Sequence, residues 1–100
     1  MALQITECRG IFSVYGNLNS SNVIILERHM SQFINTKNQV VLNLGRVGQL
    51  DETAAHLLHH MYKKAMGMRA NFSIIGTENT SILPVMDKTK TSYILSHDRV

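Results

Sequence analysis

The sequence predicts an α/β domain whose mixed, mostly parallel sheet carries its helices mainly on one face. Three observations predict it. Short stretches in which apolar and polar residues alternate are followed by longer ones in which apolar residues recur at spacings of three and four, so strand and helix periods succeed each other along the chain. The resulting order of strand, helix, strand, helix, strand requires parallel pairing through crossovers. These are right-handed in about 98% of cases because twisted strands feed helices back onto the sheet that way, and sequential neighbours then keep successive helices on one side. Within the strands, Phe12, Val14, Val40, Leu42, Leu44, Phe72 and Ile74 fall on one face while Ser13, Asn43, Asn71 and Ser73 alternate to the other.

Taken in order, "LQITE" and "GIFSVYG" are short strands separated by a turn at Arg9-Gly10. From Asn19 on, Val23, Leu26, Met30, Phe33 and Ile34 gather on one helix stripe, with Asn19 or Ser20 as the N-cap. Ile24 and Ile25 fall outside that stripe, so one or both are exposed or tucked against an edge. "QVVLNL" returns to a strand, and the stretch after it, with Gly45 and Gly48 flanking Arg46, reads as a glycine loop of turn residues. "DETAAHLLHHMYKKAMGM" is a second amphipathic helix with Ala54, Leu57, Leu58, Met61 and Ala65 inward and Gly67 where it ends. "NFSIIG" is another strand. "TENTSILPVMDKT" holds a short last helix, with Pro84 in its first turn or at a break, before "SYIL".

A chain of 100 residues, 44% hydrophobic and 17% charged, suits a single globular domain spanning 1–100. Its longest apolar run, Val23-Ile24-Ile25-Leu26, is far short of a membrane span, and "MALQITECRG" lacks the pattern of a signal peptide, so a cytoplasmic protein is expected, with no direct membrane insertion. Cys8 is the only cysteine, which excludes an intrachain disulfide and a multi-cysteine zinc site. The net charge of +3 and pI near 9.3 invite nucleic acid as a partner. The basic residues are however spread from Arg9 to Arg99, and the closest groupings, Lys63-Lys64 with Arg69 and Lys88 with Lys90, have no interleaved aromatic platform. A solvated basic surface is expected instead.

The chemistry concentrates in "NLGRVGQLDETAAHLL", where two carboxylates and a hydroxyl crowd the first turn of the second helix. Asp51 as an N-cap accounts for one of them. Thr53 lies off the inward stripe, in an exposed column with His56, His60 and Lys64, and is either structural or a switch. His56 and His60 alone do not make a metal site, because zinc takes three or four ligands and no further donor joins them on that face. Asp51 or Glu52 with His56 lacks the nucleophile elbow, phosphate-cradling loop or second cluster that an enzyme needs, so no catalytic residues are assigned.

Over nearly its whole length the chain resembles STAS domains, the fold of bacterial anti-sigma factor antagonists and of regulatory tails on sulphate transporters. The family's Gly-x-Leu-Asp turn before the first helix corresponds to "GNLN", Gly16 to Asn19. Its Asp-Leu-Ser, followed five positions later by Asp-Ser-Ser-Gly, corresponds without a gap to "NLGRVGQLDETA". Asn43 replaces the strand-end Asp, Asp51 is retained, Glu52 and Thr53 replace the two serines, and Ala54 replaces the glycine. In antagonists the second hydroxyl is the phosphorylated one, so the resemblance makes Thr53 the phosphorylation candidate. Beside it Glu52 adds a charge and Ala54 a methyl. The resemblance implies a non-enzymatic module without cofactor or metal that docks an anti-sigma serine/threonine kinase through Asp51, Glu52, Thr53, His56, His60, Asn19 and Ser20. The alternatives are a STAS regulatory subunit of a membrane transporter ATPase complex and a small-ligand or nucleotide-binding module.

Overall fold

Two strands joined by a tight turn start the sheet. A computed structural model gives the fold for residues 3–96. Strand β1, Gln4–Cys8, pairs antiparallel with β2, Ile11–Leu18, from Gln4 opposite Tyr15 to Cys8 opposite Ile11. The Glu7 carboxylate accepts a hydrogen bond from the Gly10 N–H at 2.8 Å and so closes the turn.

β2 is the pivot. Its first half pairs in parallel with β3, Val40–Asn43, and its second half pairs in parallel with β4, Val47–Leu50. β4 corrects the glycine loop expected after "QVVLNL". Its burial runs buried, exposed, exposed, buried, which is not the alternation that marks a strand in sequence. A register shift explains the pattern: Val47 faces Gly16 and Gln49 faces Asn17, leaving Gly48 as the extra residue of a bulge. Gly16 is needed there for its backbone, and Gly48 leaves room for the Asn17 side chain. Gly16 takes φ +99, and a Cβ on Gly48 would stand 2.8 Å from the Asn17 side-chain oxygen. β5, Phe72–Ile75, pairs in parallel with β3 and completes the order β1-β2-β3-β5, with β4 beside β2. "SYIL" forms a 3-10 turn, Ser92–Ile94, after which Leu95 bridges to Ile74 in parallel.

The three helices, α1 (Val23–Ser31), α2 (Glu52–Gly67) and α3 (Leu83–Lys88), pack on one sheet face. Phe12, Val14, Leu42 and Ile74 from the sheet join Leu26 and Met30 of α1, Leu58 and Met61 of α2, and Met86 of α3 in one buried cluster. Ser13, Asn43 and Ser73 on the other face remain partly exposed. Mixed pairing and one-sided helices are thus as the sequence predicts, and the chain is a single small α/β domain. Among the described residues no helix is long and apolar enough to cross a membrane.

The helix ends differ in detail. The regular part of α1 starts after Asn22, which makes no side-chain bond to the helix, and the capping bonds come from Asn19, one of the two positions expected. The Asn19 side chain accepts from the Ser21 and Asn22 N–H groups, and the Asn22 side chain accepts from the Asn19 N–H while donating to the Asn17 carbonyl. These short polar side chains compete for the backbone and form a turn before the helix begins. At the other end α1 stops at Ser31, so Phe33 lies beyond it, 39% exposed, with its ring 4.8 Å from that of Phe12. In α2 the inward stripe runs through Ala55 as well as Ala54, Leu58, Met61 and Ala65, while Leu57 packs against the core only partly buried. The helix ends at Gly67, as the sequence suggests, but the left-handed residue that follows is Arg69 (φ +57). Pro84 stands in the first turn of α3, where its missing N–H costs nothing.

Asn79 holds the irregular link between β3 and β4. Its amide donates to the carbonyls of Leu44 and Val47, each at 2.8 Å, and its oxygen accepts from the Ser81 N–H. Asn79→Ala removes the donor from two partly buried carbonyls and is expected to cost about 1 to 3 kcal/mol. Hydrogen exchange is the measurement that checks it, with protection lost first at Val47–Leu50. Unchanged stability and protection would show that the clamp is dispensable.

Candidate functional site

The start of α2 is built by Asp51. With extended backbone (φ −91, ψ 172), it directs one carboxylate oxygen to its own helix, accepting from the Ala54 N–H at 2.8 Å, and the other across to the segment before α1, accepting from the Ser20 N–H at 3.0 Å. Its own N–H donates to the Leu18 carbonyl at the end of β2. One side chain therefore caps α2 and ties it to the turn that precedes α1. Both oxygens are engaged inside the chain, so Asp51 fixes the shape of this surface.

Around this tie lies a shallow depression of about 310 Å³ lined by Asn17, Asn19, Gln49, Asp51, Ser81 and Val85, among others. The structure thus brings Asn19, Ser20 and Asp51 together as expected, and adds Gln49, Ser81 and Val85, which the sequence reading missed. Gln49 was hidden by the unrecognised β4. Ser81 and Val85 reach the depression only through the fold.

Glu52 opens the helix with a charge, and that charge has a partner. Its carboxylate stands 2.8 Å from Lys88 Nζ at the end of α3. Hydrogen bonding from Lys88 and the Lys88 charge hold the Glu52 carboxyl below its ordinary value, with His56 adding a smaller pull in the same direction; the same bond holds the Lys88 ammonium above its ordinary value. Glu52 is accordingly ionised at neutral pH. The pair's small stabilisation is present above the ordinary carboxylate range and lost as pH falls through the lowered Glu52 value. At the alkaline end it is present below the ordinary ammonium range and lost as pH rises through the raised Lys88 value. Both side chains are largely exposed, so the pair orders a surface more than it stabilises the fold. Lys88 had read as part of a solvated basic surface.

Thr53 follows Glu52 on the exposed side of the helix, with His56, His60 and Lys64 on the same side. Its hydroxyl has no hydrogen-bond partner among the described residues. Capping is done by Asp51, so the helix does not need the threonine oxygen. His60 lies two turns along from Thr53, at the margin of the site. His59 is set apart from both neighbours in sequence by a hydrogen bond to the Tyr93 hydroxyl. On the strand side, the Asn43 side chain accepts from the Gly45 N–H at 2.8 Å and so shapes the exit from β3, with Arg46 exposed just beyond. Among the described residues no three of His, Cys, Asp and Glu come together as metal ligands.

The site is thus a helix start with its cap satisfied internally, an exposed hydroxyl above it and a polar depression beside it, on a small α/β domain. The chain belongs to the STAS domain family, whose model matches residues 1–92. It is thereby a domain of the regulatory, binding kind. A search of curated proteins finds no match to it.

Proposed function

We propose that this STAS domain is a non-enzymatic, cytoplasmic, bacterial regulatory module resembling an anti-sigma factor antagonist, which docks a serine/threonine kinase through the start of α2 and is switched by phosphorylation of Thr53. The observation that carries the reading is the division of labour in the first turn. Asp51 satisfies the helix with both oxygens, Glu52 is engaged by Lys88, and the Thr53 hydroxyl is left exposed with no structural task. A phosphate there suits the fold, since helix N-termini favour anions through their unpaired N–H groups and dipole. Asn19, Ser20, Asp51, Glu52, His56 and His60 frame the docking surface around it.

Capture from the lysate of the source cells tests the proposal. The wild-type chain is expected to retain a serine/threonine kinase. A chain carrying His56→Gln and His60→Gln is expected to retain it more weakly. Unchanged retention removes the histidines from the interface, and recovery of a transporter ATPase in place of a kinase replaces this reading with that of a transporter subunit.

A further inference from the structure

The groove between α1 and α2 lies toward the far end of α2 from Thr53, with Lys64, the last residue of the Thr53 side, on its rim. Its floor is apolar, formed by Ile34, Met61, Ala65 and Met68, and it encloses about 250 Å³. Glu27 stands on the α1 wall and Lys64 on the α2 wall. Neither has an ion-pair partner among the described residues. Met68 of the floor is 47% exposed, and Ile24, one turn before Glu27 on α1, is 40% exposed.

Charge decides what fits this face. A partner of one sign would satisfy one wall and meet the other as a repulsion. A surface with an acid on one wall, a base on the other and an apolar strip between is complementary to itself when turned about a two-fold axis, because in such an interface residue i meets residue j while j meets i. We propose that the α1–α2 face is an isologous homodimer interface in which Glu27 of each copy pairs with Lys64 of the other across the shared apolar groove. The exposed Met68 and Ile24 side chains then lose their contact with water, which is the driving term, and the two crossed ion pairs set the register. The patch comes from two short helices, so the interface belongs at or below about 1,200 Å² and its affinity in the weak range. Lys64 lies about 16 Å along α2 from Thr53, at 1.5 Å per residue, so dimerisation leaves the Thr53 hydroxyl open, with His60 at the boundary between the two surfaces.

Analytical ultracentrifugation of the whole chain tests this without a second protein. The weight-average mass is expected to rise from one chain toward two between about 1 and 100 μM. Glu27→Lys and Lys64→Glu each place like charges on both walls and are expected to leave the chain monomeric over that range. Mixed in equal amounts the two variants are expected to recover the dimer, since each contact then again joins opposite charges, and the double variant is expected to dimerise alone. Unchanged circular dichroism and melting show that the exchanges act on association and not on folding. A wild-type chain that is monomeric throughout, as it would be if a small apolar ligand or another protein's helix filled the groove, overturns the proposal. So does a dimer indifferent to both single exchanges, or a pair of variants that stay monomeric when mixed.

Discussion

Leu58→Ala is expected to lower the unfolding free energy by about 2 to 5 kcal/mol, the range for deleting a buried leucine from a core that relaxes only in part. Leu58 has 0% exposure and sits in the inward stripe of α2, packed in the cluster that joins the three helices to the sheet. Its helical neighbours Ala54 and Ala55 are small and fully buried, so they have no side chain with which to fill the space. Urea melts check the value, read from the midpoint at unchanged slope. Leu57→Ala, one position away, is the internal comparison. Leu57 is only partly buried, so the same truncation there is expected to cost well under the Leu58 value. A Leu58 cost below about 1 kcal/mol, or equal costs at the two positions, would mean that α2 packs on a different stripe.

The second large effect concerns binding. Phosphorylation of Thr53 adds roughly 1.5 to 2 negative charges. The nearest cation tied into the site, Lys88, is already engaged by Glu52, so the added charge faces the partner. Against a surface shaped for a neutral hydroxyl the desolvation and like-charge penalty comes to several kcal/mol, or roughly a hundredfold or more in affinity. Thr53→Asp is accordingly expected to release the retained kinase while leaving circular dichroism and melting nearly unchanged. Thr53→Ala is expected to bind but no longer be released by ATP. Calorimetric titration of the retained kinase with each variant checks this. If Thr53→Asp tightens binding, the partner carries a basic surface that welcomes charge, and the switch has the opposite sign.

The parallel order of the sheet and the position of α2 were legible because periodicity is local: each apolar stripe spans one element, and the crossover rule then leaves few topologies. β4 was not legible because a bulge at Gly48 destroys the alternation that announces a strand, leaving two glycines and an arginine that look like a loop. Asn19 was legible as the side chain that caps the start of α1, but Asn19, Ser20 and Asn22 all suit an N-cap, and only the reciprocal bonds between Asn19 and Asn22 choose among them and set the regular helix three residues later. At the site, Asp51 was recognisable as a cap from its place before an apolar-periodic stretch. Its second bond to Ser20, the Glu52–Lys88 pair and the Asn79 clamp each join positions far apart in the chain, and no spacing rule reaches them. Glu52 is the instructive case. Alone in sequence it places a bare charge beside Thr53, whereas in the structure that charge is paired with Lys88 at the surface.

The most direct test of the central claim is a phosphorylation map. The purified chain is incubated with the kinase it retains and ATP, digested, and read by mass spectrometry. A single phosphate on Thr53, appearing as the complex dissociates, is the predicted result. Thr53 left unmodified while Ser20, Ser21 or no residue carries the label contradicts the switch and leaves a constitutive docking module in its place.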